Sequence, residues 1–183
     1  MKKYEFTGET KEIRLLFRTA TLHRIRATVA FGIVEVGDLG GWIEKEENLS
    51  HEGKAWVCGD AKVWGNAKVC GDAEVCGDAK VWGNAEVCGD AEVCGDAKVF
   101  SASHVLVIGA IGSRNDFTTF YRDKDNEITV KCGCFLGKID RFLEKVIQTH
   151  GDSKYALVYR AAVEVAKLQI DLSGEAPKDA DEE

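Results

Sequence analysis

A period of six residues, held from Ala55 to about Ile108, constrains this chain more than any other feature. Ala or Ser stands at 55, 61, 67, 73, 79, 85, 91, 97 and 103, and Val at 57, 63, 69, 75, 81, 87, 93, 99 and 105. Gly-Asp or Gly-Asn closes each of the first seven hexads, from Gly59-Asp60 to Gly95-Asp96. Within each A-x-V-x segment the side chains alternate, so Ala and Val face one way and both x residues the other. A glycine followed by Asp or Asn suits a tight corner that needs left-handed backbone angles. A short strand and a corner make one side of a triangular coil. Three sides take eighteen residues, and successive coils stack about 4.8 Å apart as parallel strands. The period therefore predicts a mainly β protein built on a solenoid of about three to four coils. The corner rule fails at Ser101-Ala102, so the coil ends near Ser103–Ile108, with Ile111 keeping the period once more. Upstream, Gly37–Lys54 has the length of one irregular coil, and Ile43 and Leu49 keep the spacing of six.

Stacking by eighteen turns the outward positions into columns. One face carries Trp64, Trp82 and Phe100 beside Lys62, Lys80 and Lys98. A second carries Cys58, Cys76 and Cys94 beside Trp56, Glu74 and Glu92. The third carries Cys70, Cys88 and Leu106 beside Lys68, Glu86 and His104. An aromatic side chain buries about 150–250 Å², so the first column offers roughly 450–750 Å², more than a monomer usually leaves bare in one patch. Its full burial is worth on the order of 10 kcal/mol as an upper bound. Something must cover it: C-terminal helices, another subunit, or a ligand. The cysteine columns give no tetrahedral set, and Cys132-Gly133-Cys134 alone is too sparse for zinc, so no metal or cofactor is expected and the cysteines read as small packed hydrophobes.

Composition sets the frame. With 183 residues, 30% of them charged and 45% hydrophobic, the chain reads as a soluble globular protein. The start MKKYEFTGETKE has no apolar signal core and no run approaches eighteen apolar residues, so neither secretion nor membrane insertion is expected. Seven cysteines, an odd number, then favour reduced thiols in a cytosol. The net charge of −7 is uneven, because Asp171–Glu183 holds six acids and one lysine. A general nucleic-acid binder is not indicated, though a local anion site is possible.

Residues 1–36 read as an N-terminal β segment, with Arg24 and Arg26 projecting opposite Ile25, Ala27 and Val29. These arginines form either a solvated strand face or a phosphate or carboxylate site. After the coils (37–111), residues 112–137 read as a loop and β-hairpin cap, its strands at Phe117–Arg122 and Glu127–Cys132. Ser113, Arg114 and Asn115, with Thr118 and Thr119 close behind, either cap the coil or offer backbone N–H groups and a guanidinium to an anion. A pair of helices follows over 138–172. The first has Ile139, Phe142, Leu143 and Val146 on one side, and the second Tyr155, Tyr159, Ala162, Val163 and Ala166. Residues 173–183 read as a disordered acidic tail.

The A-x-V-x-G-[DN] array resembles the left-handed β-helix of the hexapeptide-repeat family, and the left hand is implied by that resemblance alone. The order KYEFTGET, TLHRIRA, the coil, IGSRN, TTFY, CGCF and a helix pair is similar to an uncharacterised group found in bacteriophage and prophage genomes. Hexapeptide-repeat proteins are commonly trimers around an axis parallel to the coil. The resemblance thus implies a homotrimer in which the Lys/aromatic face of one subunit meets the Glu/Cys face of the next. The acyltransferases of that family use a histidine base, often with a loop inserted in a coil. Here Ala55–Phe100 is uninterrupted and contains no histidine, and of His23, His51, His104 and His150 only His104 falls in a coil. The three converging histidines of a carbonic anhydrase are not evident.

The functional expectation is a non-enzymatic, oligomeric binding protein of a bacterial host cytosol, phage-derived, that captures an anionic nucleotide-like ligand or a host defence protein. Lys or Arg would meet phosphates while an aromatic ring stacks on a base. Candidate ligand residues are Arg24, Arg26, Lys62, Trp64, Lys80, Trp82, Lys98, Phe100 and His104, with Ser113, Arg114, Asn115, Thr118 and Thr119. The alternatives are a structural β-helix trimer without a small ligand, and an acyltransferase.

Overall fold

A computed structural model describes residues 2–15 and 18–174. The chain begins with a long antiparallel hairpin, β1 (Tyr4–Arg14) and β2 (Thr19–Ala27), whose second strand pairs with β3 (Leu39–Ile43). The solenoid follows as eight two-residue strands: β4 (Trp56–Val57), β5 (Lys62–Val63), β6 (Lys68–Val69), β7 (Glu74–Val75), β8 (Lys80–Val81), β9 (Glu86–Val87), β10 (Glu92–Val93) and β11 (Lys98–Val99). They stack in parallel with a shift of eighteen residues into three ladders, β5-β8-β11, β4-β7-β10 and β6-β9, giving a β-solenoid of about three turns. The glycines at the corners all have positive φ, from Gly59 at 65° to Gly95 at 66°. There a side chain would strain the backbone.

Every Val of the array from Val57 to Val99 and every Ala from Ala55 to Ala97 is buried, so the inward columns are the core. Ile43 pairs with Val63, and Leu49 bridges to Val69, which continues those columns into the irregular segment upstream. Asn48 fixes that segment. Its buried side chain donates to the carbonyls of Ala67 at 2.8 Å and Gly65 at 3.3 Å, and accepts the Lys45 N–H at 3.0 Å. Buried polar groups persist where they are satisfied this way.

The cysteine columns are not all thiols. Cys70–Cys88 and Cys76–Cys94 are disulfides between neighbouring coils, each with a Cα–Cα distance of 4.6 Å. In-register parallel strands bring these atoms into the range a disulfide spans, and this corrects the reading of the cysteines as reduced. Cys58, Cys132 and Cys134 are free. Burial and the neighbouring Glu74 carboxylate push the Cys58 thiol up to about 12.

The C-terminal part is a second unit packed on the open end. Four antiparallel strands form its sheet: β12 (Val105–Ile111), β13 (Asp116–Arg122), β14 (Ile128–Cys132) and β15 (Phe135–Lys138). The last, degenerate hexad is expected at Ser103–Ile108; from Val105 the chain instead leaves the coil, and Val105–Ile111 becomes the edge of this sheet. Helices α1 (Ile139–His150) and α2 (Lys154–Gln169) cover one side, with Phe120, Val130, Phe142, Tyr159 and Val163 in a shared core.

An exposed strand edge invites further pairing, and β13 closes it with side chains. The Thr119 hydroxyl accepts the Glu92 N–H at 3.0 Å. The Tyr121 hydroxyl accepts the Cys94 N–H at 3.3 Å and donates to the Cys94 carbonyl at 2.9 Å. At the neighbouring ladder, His104 Nδ1 accepts the Phe100 N–H at 3.3 Å. The expected acidic tail lies, from residue 175 on, outside the described residues. No helix among the described residues is long and apolar enough to cross a membrane.

Candidate functional site

The aromatic column is covered from within the chain. Trp64 and Trp82 stack with ring centroids 5.0 Å apart, and Phe100 continues the stack at 5.1 Å from Trp82. Ile13 and Leu22 of the hairpin, together with Trp42 and Leu15, join the two tryptophans in one apolar cluster. Trp64 is only 2% exposed and Trp82 only 6%. Neither the C-terminal helices nor a second subunit is needed to explain the stripe. As surfaces for a ligand, Trp64 and Trp82 are withdrawn by this packing, and the stripe no longer calls for a threefold contact. Lys62, Lys80 and Lys98 keep their order beside it, in register on adjacent strands.

Other sequence candidates have internal partners. Arg24 reaches Glu9 at 3.3 Å and lies over the Trp42 ring, and Arg26 pairs with Glu5 across the hairpin. Both brace the hairpin through these contacts. Thr118 and Thr119 are buried: Thr118 donates to the Cys132 sulfur at 3.3 Å, and Thr119 serves the edge of β10. His104 is buried as well. Burial and the nearby Arg122 guanidinium hold its pKa below the ordinary value, keeping it the neutral acceptor that Phe100 N–H requires. These roles are structural. Lys98, Phe100 and His104 gather instead around Arg122, whose guanidinium lies 4.8 Å from the Phe100 ring centroid.

Ser113 and Arg114 do reach a cleft. Strings outside the repeat converge there: the IGSRN loop between β12 and β13, the CGCF turn between β14 and β15, and facing residues of α1 and α2. Two glycines shape it. A Cβ on Gly133 (φ 56°) would collide with the Arg114 guanidinium, and one on Gly112 (φ 75°) would collide with the Tyr159 hydroxyl. Asn115 turns the loop at φ 52° and stays exposed. The resulting cavity holds about 480 Å³. Its apolar wall is Phe135, Phe142 and Tyr159, with Phe142 5.3 Å from Phe135 and 5.5 Å from Tyr159. His150 stacks on Tyr159 at 5.8 Å. Burial, with Cys132 alongside, pushes the Tyr159 phenol up to about 12, so it stays a neutral hydroxyl. Arg114 and Lys145 bring positive charge to the rim, both are exposed, and neither makes an ion pair with another described residue.

Such a volume is that of a small-molecule site, mostly apolar with a few convergent polar groups. Phe135, Lys145, His150 and Tyr159 were not singled out for it from the sequence. Only the glycines of IGSRN and CGCF, each followed by chemistry-bearing residues, signalled special backbone there. No family model matches the chain, and no curated protein matches it.

Proposed function

We propose that this protein is a binding module for a small anionic ligand that carries a planar ring, of the mononucleotide class. One observation carries the reading: exposed Arg114 and Lys145, without counterions among the described residues, border a cleft lined by half-buried Phe135 and by the edges of the buried Phe142 and Tyr159. A phosphate suits the guanidinium and ammonium, and a base suits an aromatic wall. Thr149 and the carbonyl end of α1 lie on the same cleft and favour hydroxyl donors such as those of a sugar. In this reading the solenoid is the rigid, left-handed support of a phage-derived protein, and sequestration of a host nucleotide is its cellular role.

A thermal-shift panel of mononucleotides, nucleosides and sugar phosphates tests it. Mononucleotides should raise the melting temperature more than either half alone, and Arg114→Ala with Lys145→Ala should abolish the gain. Equal responses in wild type and variant would remove the proposal.

A second reading, an assembly module, is favoured by α2. Leu157, Val158, Val165 and Leu168 face outward, Leu168 at 89% exposure, a stripe that a second or third copy could cover. Light scattering separates the readings: Leu168→Glu should lower the mass of an oligomer and leave a monomer unchanged.

A further inference from the structure

We propose that the cavity at the C-terminal end of the aromatic ladder is a second binding site, for a small oxyanion of phosphate or carboxylate type, with Arg122 as its principal donor. This cavity holds about 460 Å³ and is distinct from the cap cleft. Arg122 lines it at the end of β13 and is 2% exposed. One face of its guanidinium lies against Phe100. Its Nη2 donates to the Gly174 carbonyl at 2.6 Å, while Nη1 is buried without an acceptor among the described residues. No carboxylate stands within ion-pairing distance among the described residues.

The two nearest acids, Asp123 and Asp171, act on Arg122 only through space and make their hydrogen bonds elsewhere. Asp123 takes Lys138, the Thr129 hydroxyl at 2.6 Å and the N–H groups of Asp125 and Glu127. Asp171 accepts the Ser173 N–H at 2.7 Å and its hydroxyl at 2.5 Å. Among the described residues this buried guanidinium thus has one neutral carbonyl as its hydrogen-bond acceptor, although a buried charge is costly unless it is paired and hydrogen-bonded.

What would satisfy it follows from the geometry. With a face covered by Phe100 and Nη2 occupied, the free donor lies on the edge of the guanidinium plane, the direction from which oxyanions bond to arginine. Water would supply an acceptor but no charge in direct contact with the guanidinium. Lys124 lines the same cavity and adds to its positive potential, while also 3.4 Å from Asp96. The wall opposite is the segment from Asp171 to Gly174. It is held by Arg122, by Asn126, which donates to the Leu172 carbonyl at 3.0 Å, and by Asp171 N–H on the Ser103 carbonyl at 3.1 Å. An oxyanion bound there would tie that segment to the coil.

The test is the melting temperature of the full chain in chloride buffer at fixed ionic strength, titrated with inorganic phosphate, sulfate or acetate. The melting temperature should rise with oxyanion concentration, as for any ligand bound only by the folded state. A larger response to phosphate and sulfate marks a tetrahedral dianion site, and one to acetate alone a carboxylate site. Arg122→Gln should abolish the response. Lys124→Gln, at an exposed position, should fold and need several-fold more anion for the same shift. Arg114→Ala should respond as wild type, which separates this site from the cap cleft. No response to any of the three anions, or a Lys124→Gln protein titrating as wild type, would overturn the proposal even if Arg122→Gln fails to fold.

Discussion

Replacing Trp64 by Ala probes the feature that organises the whole N-terminal half. Trp64 sits between Trp82 and the hairpin residues Ile13 and Leu22, and is only 2% exposed. A buried tryptophan takes about 150–250 Å² out of water, worth roughly 4–6 kcal/mol at 25 cal/mol/Å². Large-to-small replacements of this kind cost about 3–5 kcal/mol, so about 4 kcal/mol is expected. For a chain of this size that is a fall of roughly 8–16 °C in melting temperature. Urea unfolding followed by the fluorescence of the remaining tryptophans measures it, with light scattering on the same samples. Trp64→Phe keeps a stacking ring and should lose less. Because the column is covered by its own hairpin, the mass of the native protein should not change. A Trp64→Ala protein with unaltered melting temperature but a smaller native mass would refute the reasoning, since the stripe would then be buried between copies.

Four further outcomes follow from the caps and the cysteines. His104 has its folded pKa lowered below 6.5, so the unfolded chain binds its proton first as the solution is acidified. Stability contributed by the neutral ring is complete above about pH 6.5 and is lost below it, and His104→Gln should flatten that part of a stability-pH curve. Tyr121→Phe leaves the Cys94 N–H and carbonyl without their partner, and chemical denaturation should show a loss of about 1–3 kcal/mol. Reducing Cys70–Cys88 or Cys76–Cys94, each closing a separation of 18 residues, should cost up to about 3 kcal/mol by loop entropy. Mass spectrometry after alkylation at neutral pH should label exposed Cys134 first and Cys58, with its raised pKa, far more slowly.

The coil could be read from the chain because its determinants are local and repeated. Each Val faces inward by alternation, and each Gly-Asp or Gly-Asn makes a corner from its own backbone preference. The columns then follow by arithmetic, including the stack of Trp64, Trp82 and Phe100. What covers that stack could not be read, since Ile13 and Leu22 reach it by strand pairing through β3, a contact remote in sequence. Thr119 read as a strand hydroxyl just behind a loop that offered a possible anion site. Only the antiparallel register of the cap reveals it as the acceptor for Glu92. The covalent state of the cysteines was obscured differently: the spacing of eighteen gave the columns, but bonding depends on the distance between stacked Cα atoms. Arg122 carried no local signal, because its significance lies in the acceptor that its Nη1 lacks among the described residues.

The central claim, that the cap cleft binds a ring-bearing anion, is tested most directly by calorimetric titration of the intact chain with a mononucleotide. One binding event per chain is predicted, lost in Arg114→Ala and retained in Arg122→Gln. Absence of heat at millimolar mononucleotide, or the same isotherm in Arg114→Ala as in wild type, would contradict it.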